Sequence, residues 1–193
     1  MRTILRIVMV CLPMVCLLAP AGVSLAQEKP AAAAPENPLS TWNKKANARV
    51  KDILLRSAQK MPEENYSFKP TDAVRSYGQI IGHVADGQYI FCSVALGEKN
   101  PAPDIEHTKT SKADLIAALN AAFAYCDKAY DGMTDTSAVQ TIKLFGNDAP
   151  RLSALTVNNM HNMEHYGNLV TYMRLKNIVP PSSEAQPQPA PKN

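Results

Sequence analysis

The sequence predicts an all-α protein, a four-helix bundle of about 140 residues held between two unstructured flanks. Three observations support this. Four long stretches place apolar residues at helical spacing, each stretch carries start or stop signals, and only one short segment has more β-branched character.

The chain begins with Arg2 and Arg6, an apolar run from Ile7 to Leu18, and Ser24-Leu25-Ala26 in small-x-small order. That is a secretory signal, residues 1–26, removed after Ala26. The run is broken by Pro13 and is shorter than the roughly 20 residues a spanning helix requires, so no stable membrane insertion is expected after cleavage. The expected location is the periplasm or the medium. Loss of Arg2 and Arg6 leaves 18 Lys and Arg against 17 Asp and Glu, a balance of +1, which lacks the basic excess of a nucleic-acid binder. Residues 27–38 are Ala, Pro, Glu and Lys with little to bury, and form a disordered linker.

The first helix of the bundle domain, residues 39–179, opens at Ser40 as N-cap and runs to about Lys60 before Pro62. Trp42, Ala46, Val50, Ile53, Leu54 and Ala58 share one side of it, and Lys44, Lys45, Lys51, Asp52 and Arg56 the other. An irregular connection with Tyr66 and Phe68 leads to the second helix, which opens on a capping box, Ser76 with Gln79, and ends at Gly97. Its apolar sector, with Tyr77, Ile80, Val84, Phe91 and Val94, also contains His83. Glu98 to Thr110 carries Pro101 and Pro103 and reads as a loop long enough for a crossover. The third helix starts at Ser111 and stacks Leu115, Leu119, Ala122, Phe123, Cys126 and Tyr130. Thr136 to Phe145 suits a short extended segment. Asp148 and Pro150 are read as the cap and early proline of a last helix reaching Asn177, and residues 180–193 as a Pro-rich disordered tail.

The chemical signal is His161-Asn162-Met163-Glu164-His165. Residues four apart on a helix lie about 40° apart, so both imidazoles face one way, bordered by Leu169 on one side and by Val157 and Leu175 on the other, and therefore inward. Asn158, Asn168 and Tyr172 make that seam polar, which a core tolerates only where polar groups find partners. His83 is a third imidazole on an apolar face. One divalent ion held by His83, His161 and His165 satisfies all three, with Asp86, Glu164, Asn158 or a carbonyl as outer acceptors. Three histidines leave a coordination position open, as catalytic sites do; zinc or nickel, and also iron or manganese, accept imidazole. Glu164 is the nearest candidate for proton transfer and His107, in the Pro-rich loop, reads as a surface residue.

Other chemistries fit less well. His161-x-x-Glu164-His165 matches an inverzincin motif, but the only acid after His165 is Glu184, in the expected tail. The chain lacks C-x-x-C-H, G-x-G-x-x-G and a P-loop lysine motif. Cys92 and Cys126 read as two buried thiols or one disulfide between the second and third helices.

Ser76-Tyr77-Gly78-Gln79-Ile80-Ile81-Gly82-His83-Val84 and His161-x-x-x-His165-Tyr166-Gly167-Asn168 resemble the second-helix and last-helix signatures of the DinB-like superfamily. Met173 to Pro181 resembles the ending that follows. The resemblance covers residues 40–181 and implies an up-down-down-up bundle with a long crossover, often a homodimer, holding a divalent ion by His83, His161 and His165. Related members include thiol-dependent transferases, among them bacillithiol and mycothiol S-transferases, and a maleylpyruvate isomerase. Asn168 departs from the pattern, where Gln is usual, and alters the outer shell. Export is a second departure, since low-molecular-weight thiols are cytoplasmic. The expected function is that of an exported metal-dependent transferase or hydrolase acting on a small-molecule substrate; the alternative is a non-catalytic bundle with a structural, metal-buffering or stress-related role.

Overall fold

The computed structural model describes residues 36–184. The expected signal peptide, nearly all of the expected linker and the chain beyond Glu184 lie outside the described residues. In chain order the elements are α1 (Pro38–Lys60), α2 (Tyr77–Leu96), the single turn α3 (Ile105–Thr108), α4 (Lys112–Gly132), the turn α5 (Asp135–Ala138), strands β1 (Thr141–Leu144) and β2 (Asn147–Pro150), and α6 (Arg151–Leu175).

Contacts along the helices fix their directions. Lys44 and Lys51 near the start of α1 reach Asp131 and Asp127 near the end of α4, while Lys112 at the start of α4 donates to the Met61 carbonyl beyond the end of α1. α1 and α4 are therefore antiparallel. α2 and α4 run parallel, since a Cβ on Gly78 would touch Leu115 and Cys92 is disulfide-bonded to Cys126. α6 runs against α2, with Tyr77 beside Tyr172 and Gln88 beside Asn158 and Asn162. The bundle is up-down-down-up, and the parallel step from α2 to α4 is what the long crossover serves.

Local chemistry accounts for the ends. Ser76 and Gln79 form the expected capping box, Gly97 closes α2 at φ 72°, and Ser111 caps α4. At the end of α6, Asn177 takes φ 58° while the Ile178 and Asn177 amides return to the Met173 and Arg174 carbonyls. This is a Schellman closure.

Several expectations are corrected. α1 starts at Pro38 with Asn37 as N-cap, and Ser40 is buried inside it. Trp42 is 75% exposed. The buried stripe of α1 takes in the small polar residues Ser40, Asn47 and Ser57, so it is centred near Leu54, about 120° round from Trp42. The crossover contains the turn α3, anchored by buried Ile105. The β-branched segment is one half of a hairpin: Asp148 lies in β2 opposite Lys143, and Pro150 is the residue before α6. The tail is packed as far as Glu184, which meets Arg56 and Lys60, while the Ser182 amide donates to Tyr166 at 2.9 Å.

The open end of α1 is closed from outside. The Asp135 carboxylate accepts the Leu39 and Ser40 amides and the Ser40 hydroxyl, at 3.1, 2.8 and 2.8 Å, and the Asn37 side chain accepts the Asp135 amide in return. The Ser40 amide, aided by the other two donors, holds the Asp135 carboxyl below its ordinary 3.8. The folded protein then binds this proton less tightly than the unfolded chain, so the stabilisation is complete above the ordinary value and is lost as pH falls through the lowered one. Asp135→Ala is expected to lower Tm at pH 7, with the gap from wild type closing as the pH is taken to 3. A gap independent of pH contradicts this account of the cap.

Candidate metal centre

His83 stands on α2, and His161 and His165 stand one turn apart on α6. The antiparallel packing of these helices brings the three rings together, with centroids 5.0 Å apart for His83–His161, 4.7 Å for His83–His165 and 4.4 Å for His161–His165. One nitrogen from each ring lies within 4.8 Å of the others, and the Nε2 atoms of His83 and His161 are 3.2 Å apart.

Two glycines make the approach possible. A Cβ on Gly87 would stand 2.6 Å from Cε1 and 2.8 Å from Nδ1 of His161, closer than side-chain carbons come to other atoms. A Cβ on Gly82 would stand 2.7 Å from the Glu106 Cα. Glycine inside a helix costs about 1 kcal/mol relative to alanine. Here it creates room for the His161 ring on one side and the crossover backbone on the other.

The group orienting His83 is one the sequence reading missed. Asp86 was expected as an outer acceptor. Instead its carboxylate takes the Ile105 and Glu106 amides, at 2.7 and 2.9 Å, and so holds the crossover turn against α2. Glu106 in turn meets His83 Nδ1 at 2.9 Å through one oxygen and accepts from Arg75 Nε at 2.8 Å through the other. Burial, the largest influence, pushes the Glu106 carboxyl up, but Arg75 and His83 together outweigh it and keep it below the usual value. The ionised carboxylate fixes the proton of His83 on Nδ1 and aims the Nε2 lone pair at the other two rings. The signal for this in the sequence was Ile105, the lone large aliphatic residue in a polar, Pro-rich connection.

Burial, followed by the neighbouring rings of His165 and His83, depresses His161 to about 3. Burial also lowers His165, with His83 adding to it. Both rings are neutral at physiological pH, the form in which imidazole binds metal. His161 Nδ1 is buried without a hydrogen-bond partner among the described residues. The Asn168 amide nitrogen lies 3.4 Å from His165 Nδ1.

The residues fit a divalent ion. Two nitrogens bound to one ion at about 2.0–2.1 Å stand roughly 3.0–3.4 Å apart, which the 3.2 Å between His83 and His161 matches. The buried His161 ring has its Nε2 contact with His83, while its Nδ1 has no partner among the described residues. Glu164 does not join the cluster: it is exposed, and only its charge is felt at His165. On the helix it points about 60° away from His161, and Glu106 occupies the place expected for an acid. His107 is also outside the cluster, paired with Asp104 at 2.5 Å on the surface.

A family model of the DinB superfamily matches residues 46–169, which include all three histidines. The chain belongs to the DinB superfamily. Among curated proteins it is similar to the uncharacterized protein YjoA of Bacillus subtilis, 25% identical over 130 residues that cover 64% of this chain and 82% of that one. Solved DinB-like proteins share the fold. One from Bacillus cereus is 15% identical with a TM-score of 0.63, over 74% of this chain and 93% of that one. The mycothiol-dependent maleylpyruvate isomerase is 13% identical with a TM-score of 0.54, over 68% of this chain and 59% of that one.

Gly87→Ala tests the clearance argument. Zinc affinity, measured by competition with a chelating dye, is expected to fall about 10- to 100-fold as His161 is displaced, with helical circular dichroism retained. Gly167→Ala, where an added Cβ meets nothing within 4 Å, is expected to bind as wild type. Unchanged affinity in Gly87→Ala contradicts the argument.

Proposed function

We propose that His83, His161 and His165 hold a divalent metal ion, zinc or nickel in the first instance, and that the protein is a metal-dependent enzyme, a transferase or hydrolase acting on a small molecule. The observation that carries this is the convergence of three ligand-capable ring nitrogens within 4.8 Å, with a 3.2 Å pair, two of them on the α6 histidines that burial holds neutral. A bound divalent ion supplies Lewis acidity, bringing a weak nucleophile such as water or a thiol into its reactive form near neutral pH.

The chain's own residues prepare the site. Glu106 holds the His83 proton on Nδ1, and Arg75 holds Glu106 ionised. Asp86 fixes the backbone that carries Glu106. Tyr172 donates to the Arg75 carbonyl at 2.7 Å, tying the residue to α6. The cluster is reached through cavities rather than sealed: His165 lines one of about 700 Å³, and His83 with His161 lines another of about 530 Å³. Access from solvent favours chemistry over a closed structural ion.

We also propose that the protein is exported. The support is the positive, apolar and small-residue order of residues 1–26 and the bond between Cys92 and Cys126, which suits an oxidising compartment. Among the described residues no helix is long and apolar enough to cross a membrane. Export argues against an intracellular thiol as cosubstrate.

The chain from Gln27 onward, purified without an affinity tag and reconstituted with zinc or nickel, is expected to retain one ion per chain after dialysis, by elemental mass spectrometry. His161→Ala is expected to retain far less while keeping its helical spectrum. Absence of stoichiometric metal in wild type after reconstitution rejects the reading.

A further inference from the structure

The two cavities that reach the histidines differ in chemistry. The larger, on the His165 side, is bordered by Lys69, Asp72, Arg75, Gln79 and Asn168, whose charges pair within the group or with Glu106. The smaller, on the side of His83 and His161, is walled by Ile90, Phe91, Pro103 and Phe145. Ile90 is 46% exposed and Phe145 71% exposed, although both are large and apolar. Phe145 stands edge-on to Phe91 at 6.0 Å, and Phe91 edge-on to His161 at 5.5 Å, so an aromatic series leads from the hairpin tip to the candidate ligand.

We propose that the cavity beneath Phe145 binds the uncharged, apolar body of a small-molecule ligand whose donor atom reaches the histidine cluster, with Phe145 as the residue that selects for that body. The donor contact rests on the metal reading above; the apolar site does not.

Three features select this class of ligand. A volume of about 530 Å³ suits a small organic molecule. Charge at the rim disfavours an anion: Asp86 is committed to the Ile105 and Glu106 amides, and His107, the cationic candidate there, is bound to Asp104. The third is the turn. Phe145 and Gly146 are the two central residues between Leu144 and Asn147, with φ 52° and 81°. Such two-residue turns favour Asn or Asp before Gly, and a bulky aromatic in left-handed backbone is unfavourable. An unfavourable residue holding an exposed ring over a cavity that ends on histidine fits a contact kept for binding rather than for stability.

This separates binding from folding in one substitution. Phe145→Asn restores the preferred turn while removing the ring. The chain from Gln27 onward is titrated, metal-free and zinc-loaded, with the neutral fluorophore N-phenyl-1-naphthylamine. Wild type is expected to bind one equivalent saturably. Phe145→Asn is expected to bind about tenfold more weakly, as loss of a buried aromatic contact implies, with Tm equal to or above wild type and zinc content unchanged. Phe145→Leu, which keeps an apolar side chain, is expected to bind close to wild type. Phenylmethanethiol is expected to displace the fluorophore at lower concentration with zinc than without. Equal affinity in wild type and Phe145→Asn, or no saturable binding, overturns the proposal whatever the zinc content. Equal displacement with and without zinc overturns the donor contact. Probe binding lost in Phe145→Asn by a protein that takes up no zinc supports the apolar site and rejects the metal reading.

Discussion

Three imidazoles crowded between two antiparallel helices constrain the rest of this structure. Each ring carries a lone pair that repels its neighbours' when all three point inward, and each proton on a ring nitrogen needs an acceptor. The protein supplies one such acceptor by a chain of contacts, from Asp86 to the crossover backbone, from Glu106 to His83. At His161 Nδ1 is buried and has no partner among the described residues. Gly82 and Gly87 make the crowding possible, one clearing the crossover backbone at Glu106 and the other the ring of His161.

The bundle around the cluster is built to hold these two helices in register. Below the histidines, Gln88 bridges Asn162 and Asn158 at 2.6 and 2.9 Å, a buried amide chain joining α2 to α6. Beyond it the bond between Cys92 and Cys126 ties α2 to α4. Above the histidines, Tyr66 and Tyr77 reach across to the Ala58 and Ser57 carbonyls of α1 at 2.5 and 2.8 Å. Polar side chains thus link the helices at several depths, with Asn158 Oδ1 and Asn162 Nδ2 of the amide chain lacking partners among the described residues.

Much of this was legible from periodicity and capping. The four long helices, the capping box at Ser76 and Gln79, the stop at Gly97 and the inward direction of His83, His161 and His165 all follow from residue spacing. The failures have common physical causes. Trp42 reads as inward on hydrophobicity alone, whereas small polar residues occupy part of the buried stripe of α1. Glu106 was overlooked because its position depends on a hydrogen-bonded turn from a loop 20 residues after Asp86, a tertiary relation that no local pattern records. Glu164 is the acid nearest the histidines in sequence, and its place about 60° from His161 on the helix leaves it exposed. The hairpin was half seen, since β2 reads as a helix cap until its pairing with β1 is known.

Membership of the DinB superfamily accounts for the fold, while Phe145, the Cys92–Cys126 bond and the amide chain are features read from this chain itself. In the proposed site the three histidines hold one ion and leave part of its shell to solvent or substrate. X-ray absorption spectroscopy of the zinc-loaded chain tests this most directly. The account predicts three imidazole nitrogens near 2.0–2.1 Å together with at least one light scatterer that is exchanged for sulfur when a small thiol is added. A shell completed by a protein ligand and unchanged by thiol, or one with fewer than three imidazoles, would contradict it.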